Sequence, residues 1–152
     1  MIEINDIIMA TAPEHQDFVK VSHDALVEAG YKFKFESKSN GPFASYSNPK
    51  TKRSIFNLLF RKNGLIVRLY PAAINNNILN ELPDTMIKEI DKSIACKRLI
   101  DPTTCNPKCI TGYDFTIRDK RYQKCRYMCF QFAVTKESKP IITKWLNSEI
   151  KG

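Results

Sequence analysis

The run Ser54 to Pro71, SIFNLLFRKNGLIVRLYP, limits the fold more than any other stretch of the chain. Its two β-rich halves are joined by Asn63-Gly64, the strongest short-range signal for a β-hairpin, because a type I′ turn needs positive φ at both central residues. With Asn63 and Gly64 as the loop, Phe60 opposes Val67, Leu59 opposes Arg68, Leu58 opposes Leu69 and Asn57 opposes Tyr70. Phe56, Leu58, Phe60, Val67 and Leu69 then share one apolar face, which a core must cover. The other face mixes Asn57, Leu59, Arg61, Ile66, Arg68 and Tyr70. A face of that kind is partly covered or lines a pocket, and cover by a helix is the simpler expectation.

The rest of the chain supplies partners for this hairpin. Tyr31 to Glu36 alternates strictly, aromatic side chains inward and charges outward, so a strand is expected over 31–36. Asn40-Gly41-Pro42 and Asn48-Pro49-Lys50 read as turns around a weaker strand at 43–47, with the hairpin strands at 53–62 and 65–70. Thr11-Ala12-Pro13-Glu14 has the spacing of a capping box opening a helix over 12–29. Its expected apolar stripe is Phe18, Val21, Ala25, Leu26 and Ala29, and Gly30 ends it. His15 and His23 lie about 12 Å apart on that helix, too far to share a metal, and read as surface residues. Further helices are expected at 73–81 and at 84–97, the second with Met86, Ile87, Ile90 and Ile94 on one side. A cysteine-bearing hairpin follows over 105–134, turning near Asp119-Lys120, and then a helix over 138–150 anchored by Trp145.

Strand runs joined by tight turns and separated by helices indicate an α+β fold. We expect a mostly antiparallel sheet of five or six strands with helices packed mainly on one face. At 152 residues the chain suits a single domain able to bury a core without disulfides or metal. The opening MIEINDIIMATAPE has acids and no basic leader, so it reads as neither signal peptide nor membrane anchor. A cytoplasmic location is the expectation.

Charge is unevenly spread. Residues 1–30 hold one Lys against six acids, while residues 31–70 hold nine basic residues against one acid. A basic sheet flanked by an acidic helix makes a field suited to a polyanion. Nucleic acid or a small anionic ligand is the expected partner. The candidate contacts are Lys32 and Lys34 on the first strand, Arg61, Arg68 and Tyr70 on the central hairpin, and Lys124 and Arg126 beside the cysteines. Tyr70, Tyr113 and Tyr127 offer stacking faces.

The second candidate site is Cys105, Cys109, Cys125 and Cys129, two pairs each with three intervening residues, within the range of structural zinc sites. On one straight strand Cys125 and Cys129 would lie about 13 Å apart, too far to hold one ion. A four-cysteine zinc site therefore needs a bend inside KCRYMC. Alternatively Cys105 and Cys109 join one strand cysteine and Cys96, or the thiols are simply packed in the hairpin. The chain has no Gly-rich phosphate loop, nucleophile elbow or paired-carboxylate signature. A binding or regulatory module is thus the first expectation, and a zinc- or cysteine-dependent protein the alternative.

In outline, an N-terminal helix, a strand ending near Glu36, a meander containing FNLLFRKNGLIVRLY and closing helices resemble the small bacterial α+β domains of the YjbR-like and YdhG-like families over residues 12–100. That resemblance implies a role in binding nucleic acid or small ligands. The tail CNPKC, GYDF and KCRYMCFQF departs from those families and resembles that of small clostridial-type bacterial proteins.

Overall fold

The computed structural model describes residues 3–39, 41–62, 64–100 and 111–151. In chain order the elements are α1 (Ile4–Ala10), α2 (Pro13–Glu28), β1 (Lys32–Lys38), β2 (Gly41–Ser47), β3 (Ser54–Arg61), β4 (Gly64–Leu69), α3 (Asn76–Asn80), α4 (Asp84–Lys92), α5 (Lys97–Ile100), β5 (Tyr113–Ile117), β6 (Lys120–Lys124), β7 (Phe130–Ala133) and α6 (Ser138–Lys151). Five strands form an antiparallel sheet in the order β1-β2-β3-β4-β7, and β5-β6 form a separate two-stranded sheet. The fold is α+β, as the pattern of strands and helices indicates. No described helix is long and apolar enough to cross a membrane.

The central hairpin forms, but two residues out of the expected register. Arg61 pairs with Gly64, so Leu59 faces Ile66, Leu58 faces Val67 and Asn57 faces Arg68. Gly64 is already a strand residue, at a φ of +137° that suits a residue without Cβ. Because the slip is an even number, both faces keep their members. Phe56, Leu58, Val67 and Leu69 are buried, and Phe130 and Phe132 of β7 extend their face. Trp145 of α6 packs on it, with ring centroids 4.7 Å from Phe130 and 6.1 Å from Phe132. From α2, His23 stands edge-on to Phe33 and Tyr46.

Local competition explains where helices depart from expectation. Glu3 and Asp6 form the capping box of α1, an unanticipated helix. Thr11 donates its hydroxyl to the Ile7 carbonyl and closes α1, so it is not the cap of α2. The buried stripe of α2 is Phe18, Val19, Ser22, His23 and Leu26, while Val21 is 55 % exposed. His23 is therefore a core residue and not a surface one. Asn75 caps α3 through its side chain, which starts that helix later than expected. Helix α4 stops at Lys92 because the backbone beyond it joins the small sheet. Ala95 bridges Lys124, the Cys125 N–H donates to Ile94 and the Cys96 N–H donates to Gln123.

The cysteine hairpin is divided. β5 and β6 turn through Arg118 and Asp119, both at positive φ, one residue earlier than expected. The Cys129 and Met128 N–H groups then return to the Cys125 carbonyl, making a tight helical turn. This turn carries the chain from β6 to β7, which pairs with β4 in the main sheet. The second arm of the hairpin expected over 105–134 is thus two strands in two sheets. The expected turn at 40–42 also moves, since β2 begins at Gly41 and pairs there with Lys38.

Candidate functional site

Strand register places the mixed face of the sheet. One row runs across all five strands as Lys34, Ser45, Asn57, Arg68 and Gln131. Lys32, Arg61 and Tyr70 share that face through the two-residue period of their strands. Its charges are partly spent within the protein. Lys34 pairs with Glu36 at 2.7 Å and Arg68 donates from Nε to Gln131 at 2.7 Å. Asn57 is 4 % exposed; its Nδ2 donates to the Tyr70 hydroxyl at 3.0 Å, and its Oδ1 has no partner among the described residues. Lys124 belongs elsewhere, because its ammonium donates to the carbonyls of Asp91 and Ser93 and ties β6 to the end of α4.

At the end of this face lies a cleft of about 610 Å³, the size of a small-molecule site. Tyr31, Tyr70 and Tyr127 line it with Lys52, Arg53, Arg126 and Glu149. They come from five separate pieces of local structure. Lys52 and Arg53 are set by the loop before β3, where Asn48 accepts the N–H groups of Lys50 and Thr51 through Oδ1 and Lys52 takes a left-handed φ of 63°. Tyr70 follows β4 and is fixed by its N–H to the Ile55 carbonyl at 3.0 Å. Tyr127 lies in the Cys125–Cys129 turn, 48 % exposed, with its ring edge-on to Tyr70 at 6.3 Å.

Arg126 comes from the same turn and is firmly held. Its guanidinium lies 4.5 Å from the Tyr113 ring centre, and it donates to Thr111, Pro71 and the Tyr113 hydroxyl. Glu149 descends from α6, and one of its oxygens accepts the Ala72 N–H at 3.2 Å. Burial pushes its carboxyl above the usual range. Burial also raises the phenols of Tyr31 and Tyr70, with Glu149 adding to the rise at Tyr31. Among the described residues Lys52, Arg53 and Arg126 make no ion pair with Glu149. The cleft thus holds cations, a carboxylate and three phenol rings, with Arg126, Tyr70 and one Glu149 oxygen already hydrogen-bonded within the protein.

Of the residues singled out by sequence, Tyr70, Arg126 and Tyr127 converge in the cleft, and Lys32, Lys34, Arg61 and Arg68 share the adjoining face. Tyr31, Lys52, Arg53 and Glu149 were missed. For Lys52 and Arg53 a signal existed, a turn at Asn48-Pro49-Lys50 followed at once by two cations.

Cys105 and Cys109 lie outside the described residues. Among the described residues no three His, Cys, Asp or Glu side chains group as metal ligands. The bend that a shared site requires does exist, since Cys125 and Cys129 flank a helical turn instead of lying on a straight strand. Cys129 is wholly buried within the hydrophobic core, and burial pushes its thiol up. Comparison with family models, curated proteins and solved structures finds no significant match.

Proposed function

We propose that this chain is a binding domain whose ligand is a small anion carrying a planar ring, seated in the cleft between Tyr31, Tyr70, Tyr127, Arg53 and Arg126. The observation that carries the reading is the convergence, from distant parts of the chain, of three phenol rings and three cations on one cleft of about 610 Å³. Rings stack on the tyrosines, with Tyr127 at hand for the exposed side of the ligand. Lys52 and Arg53 take the anionic group, and Arg126, fixed by three carbonyl or hydroxyl partners, lends charge without having to be ordered first.

Single-stranded nucleic acid is the second reading, favoured by Lys32, Lys34, Arg61 and Arg68 sharing the sheet face that leads to Tyr70. The two readings differ in footprint and in salt dependence. Phosphate contacts along a strand release counterions, and each lost contact flattens the salt slope by about one unit. We would titrate AMP, phenyl phosphate and a labelled oligonucleotide against the protein at several salt concentrations. Arg53→Ala and Tyr127→Ala should abolish small-ligand binding, while Lys34→Ala and Arg61→Ala should leave it intact. Oligonucleotide binding whose salt slope falls in Lys34→Ala and Arg61→Ala would favour the second reading. Failure of every probe to bind at low salt would refute both.

A further inference from the structure

The cleft has one feature that an anion alone does not explain, a carboxylate, Glu149, in the same lining as Lys52, Arg53 and Arg126 and in no ion pair with them among the described residues. Its Oε2 accepts the Ala72 N–H, and Oε1 has no protein partner among the described residues. A carboxylate has about four acceptor positions, so Glu149 keeps capacity for two further donors. A ligand suited to both ends must present an anion to Lys52 and Arg53 and paired N–H donors to Glu149. Its ring must also be flat enough to lie on Tyr127.

Nucleobases differ on this point. Guanine offers two contiguous donors on its pairing edge, N1–H and the 2-amino group. Adenine and cytosine place a lone pair beside their amino group, and uracil flanks its single N–H with carbonyls. A lone pair or carbonyl facing the carboxylate would be repelled and left unpaired, which is how a polar site rejects the wrong ring.

We infer that the cleft selects a guanine nucleotide, with Glu149 receiving the guanine edge, Tyr127 carrying the ring and Lys52 and Arg53 taking the phosphate. This rests on the cleft being the ligand site, as proposed above. The test is calorimetric titration of the full chain with GMP, IMP, AMP and phenyl phosphate, repeated in Glu149→Gln, which keeps an acceptor for the Ala72 N–H. GMP should bind at least about tenfold tighter than AMP, the penalty for one unpaired donor or acceptor, with IMP between them because it lacks the 2-amino group. Glu149→Gln should erase the gap between GMP and AMP. The ligand series in the native protein decides the matter even if the variant is unstable. Equal affinity for GMP and AMP, or a preference that survives Glu149→Gln, overturns the guanine assignment and leaves the anionic-ring reading standing if phenyl phosphate binds. Binding of none of the four overturns both.

Discussion

Gly112 is a point where a single methyl group should do severe damage. A Cβ built there would lie 2.1 Å from the Lys124 carbonyl oxygen, 2.8 Å from the Cys96 Cβ and 2.9 Å from its Sγ. Carbon and oxygen in contact sit about 3.3 Å apart at closest, so the carbonyl or the Gly112 backbone must move by about 1.2 Å. Neither is free to do so. Lys124 pairs with Tyr113 and bridges Ala95, and the next residue, Cys125, donates its N–H to Ile94. Relief therefore opens the junction where the end of α4, β5 and β6 meet. Overpacking against backbone belongs at the upper end of its range, about 3 kcal/mol for Gly112→Ala. That corresponds to a fall in Tm of about 6–12 °C for a chain of this size. Gly30→Ala is the control: its φ of +95° strains an added Cβ, but nothing lies within 4 Å, so the cost should be about 1 kcal/mol. Urea unfolding followed by the fluorescence of Trp145, the one tryptophan and fully buried, measures both. A loss in Gly112→Ala no larger than in Gly30→Ala would refute the reasoning. A folded Gly112→Ala protein should also bind its ligand more weakly, because Tyr113 carries Arg126 on its ring.

Other perturbations test the core and the cysteines. Burial depresses the pKa of His23 below its ordinary 6.5, where Nδ1 meets the Tyr46 hydroxyl at 2.7 Å, so the folded state binds fewer protons than the unfolded. Its stabilisation is present above pH 6.5 and lost as pH falls through the folded value; unfolding free energies from pH 8 to 5 should fall more steeply in the native protein than in His23→Gln. Burial raises the carboxyls of Glu89 and Glu149, which act in the opposite sense in both proteins, so a slope unchanged by His23→Gln would refute the assignment. Cys96 and Cys129, 5 % and 0 % exposed, should resist thiol reagents until the protein unfolds, whereas half-buried Cys125 reacts in the native state. Elemental analysis should accompany that titration: one zinc per chain, lost in Cys125→Ser and Cys109→Ser, would reassign the cysteines from packing to ligation. Asn57→Leu removes a buried oxygen that has no partner, and it should change stability by less than about 1 kcal/mol. The same change frees the Tyr70 hydroxyl and should weaken ligand binding in the cleft, measurable by the titration used for Glu149→Gln.

How far the sequence carries depends on what each residue must satisfy. Strict alternation in β1 and the apolar sets of β3 and β4 located the core face, and the two-residue slip in register left that face unchanged because parity is all that burial enforces. The stripe of α2 went wrong for the converse reason. Counting apolar residues chose Val21 and passed over His23, yet His23 is buried because Tyr46, from another element, supplies the hydrogen bond that makes burial affordable. The division of the cysteine hairpin was invisible, since β6 and β7 both read as strand and only pairing with β4 separates them. Thr11 fits a cap by spacing alone, and the helix before it claimed the hydroxyl first.

The cleft was legible only in fragments, and its physical cause is the same divided hairpin. The turn at Cys125 to Cys129 lifts the chain out of the small sheet and into the large one, and in doing so presents Arg126 and Tyr127 at the end of β4. There they meet Tyr70, while the Tyr113 ring, anchored by its hydroxyl to the Pro71 carbonyl at 2.7 Å, lies under Arg126. Had β6 run straight on, those side chains would have alternated across a hairpin face far from the loop that holds Lys52 and Arg53. A sequence pattern reports which residues want burial or a strand. It does not report where one sheet hands the chain to another, and in this protein that handover is what assembles the site.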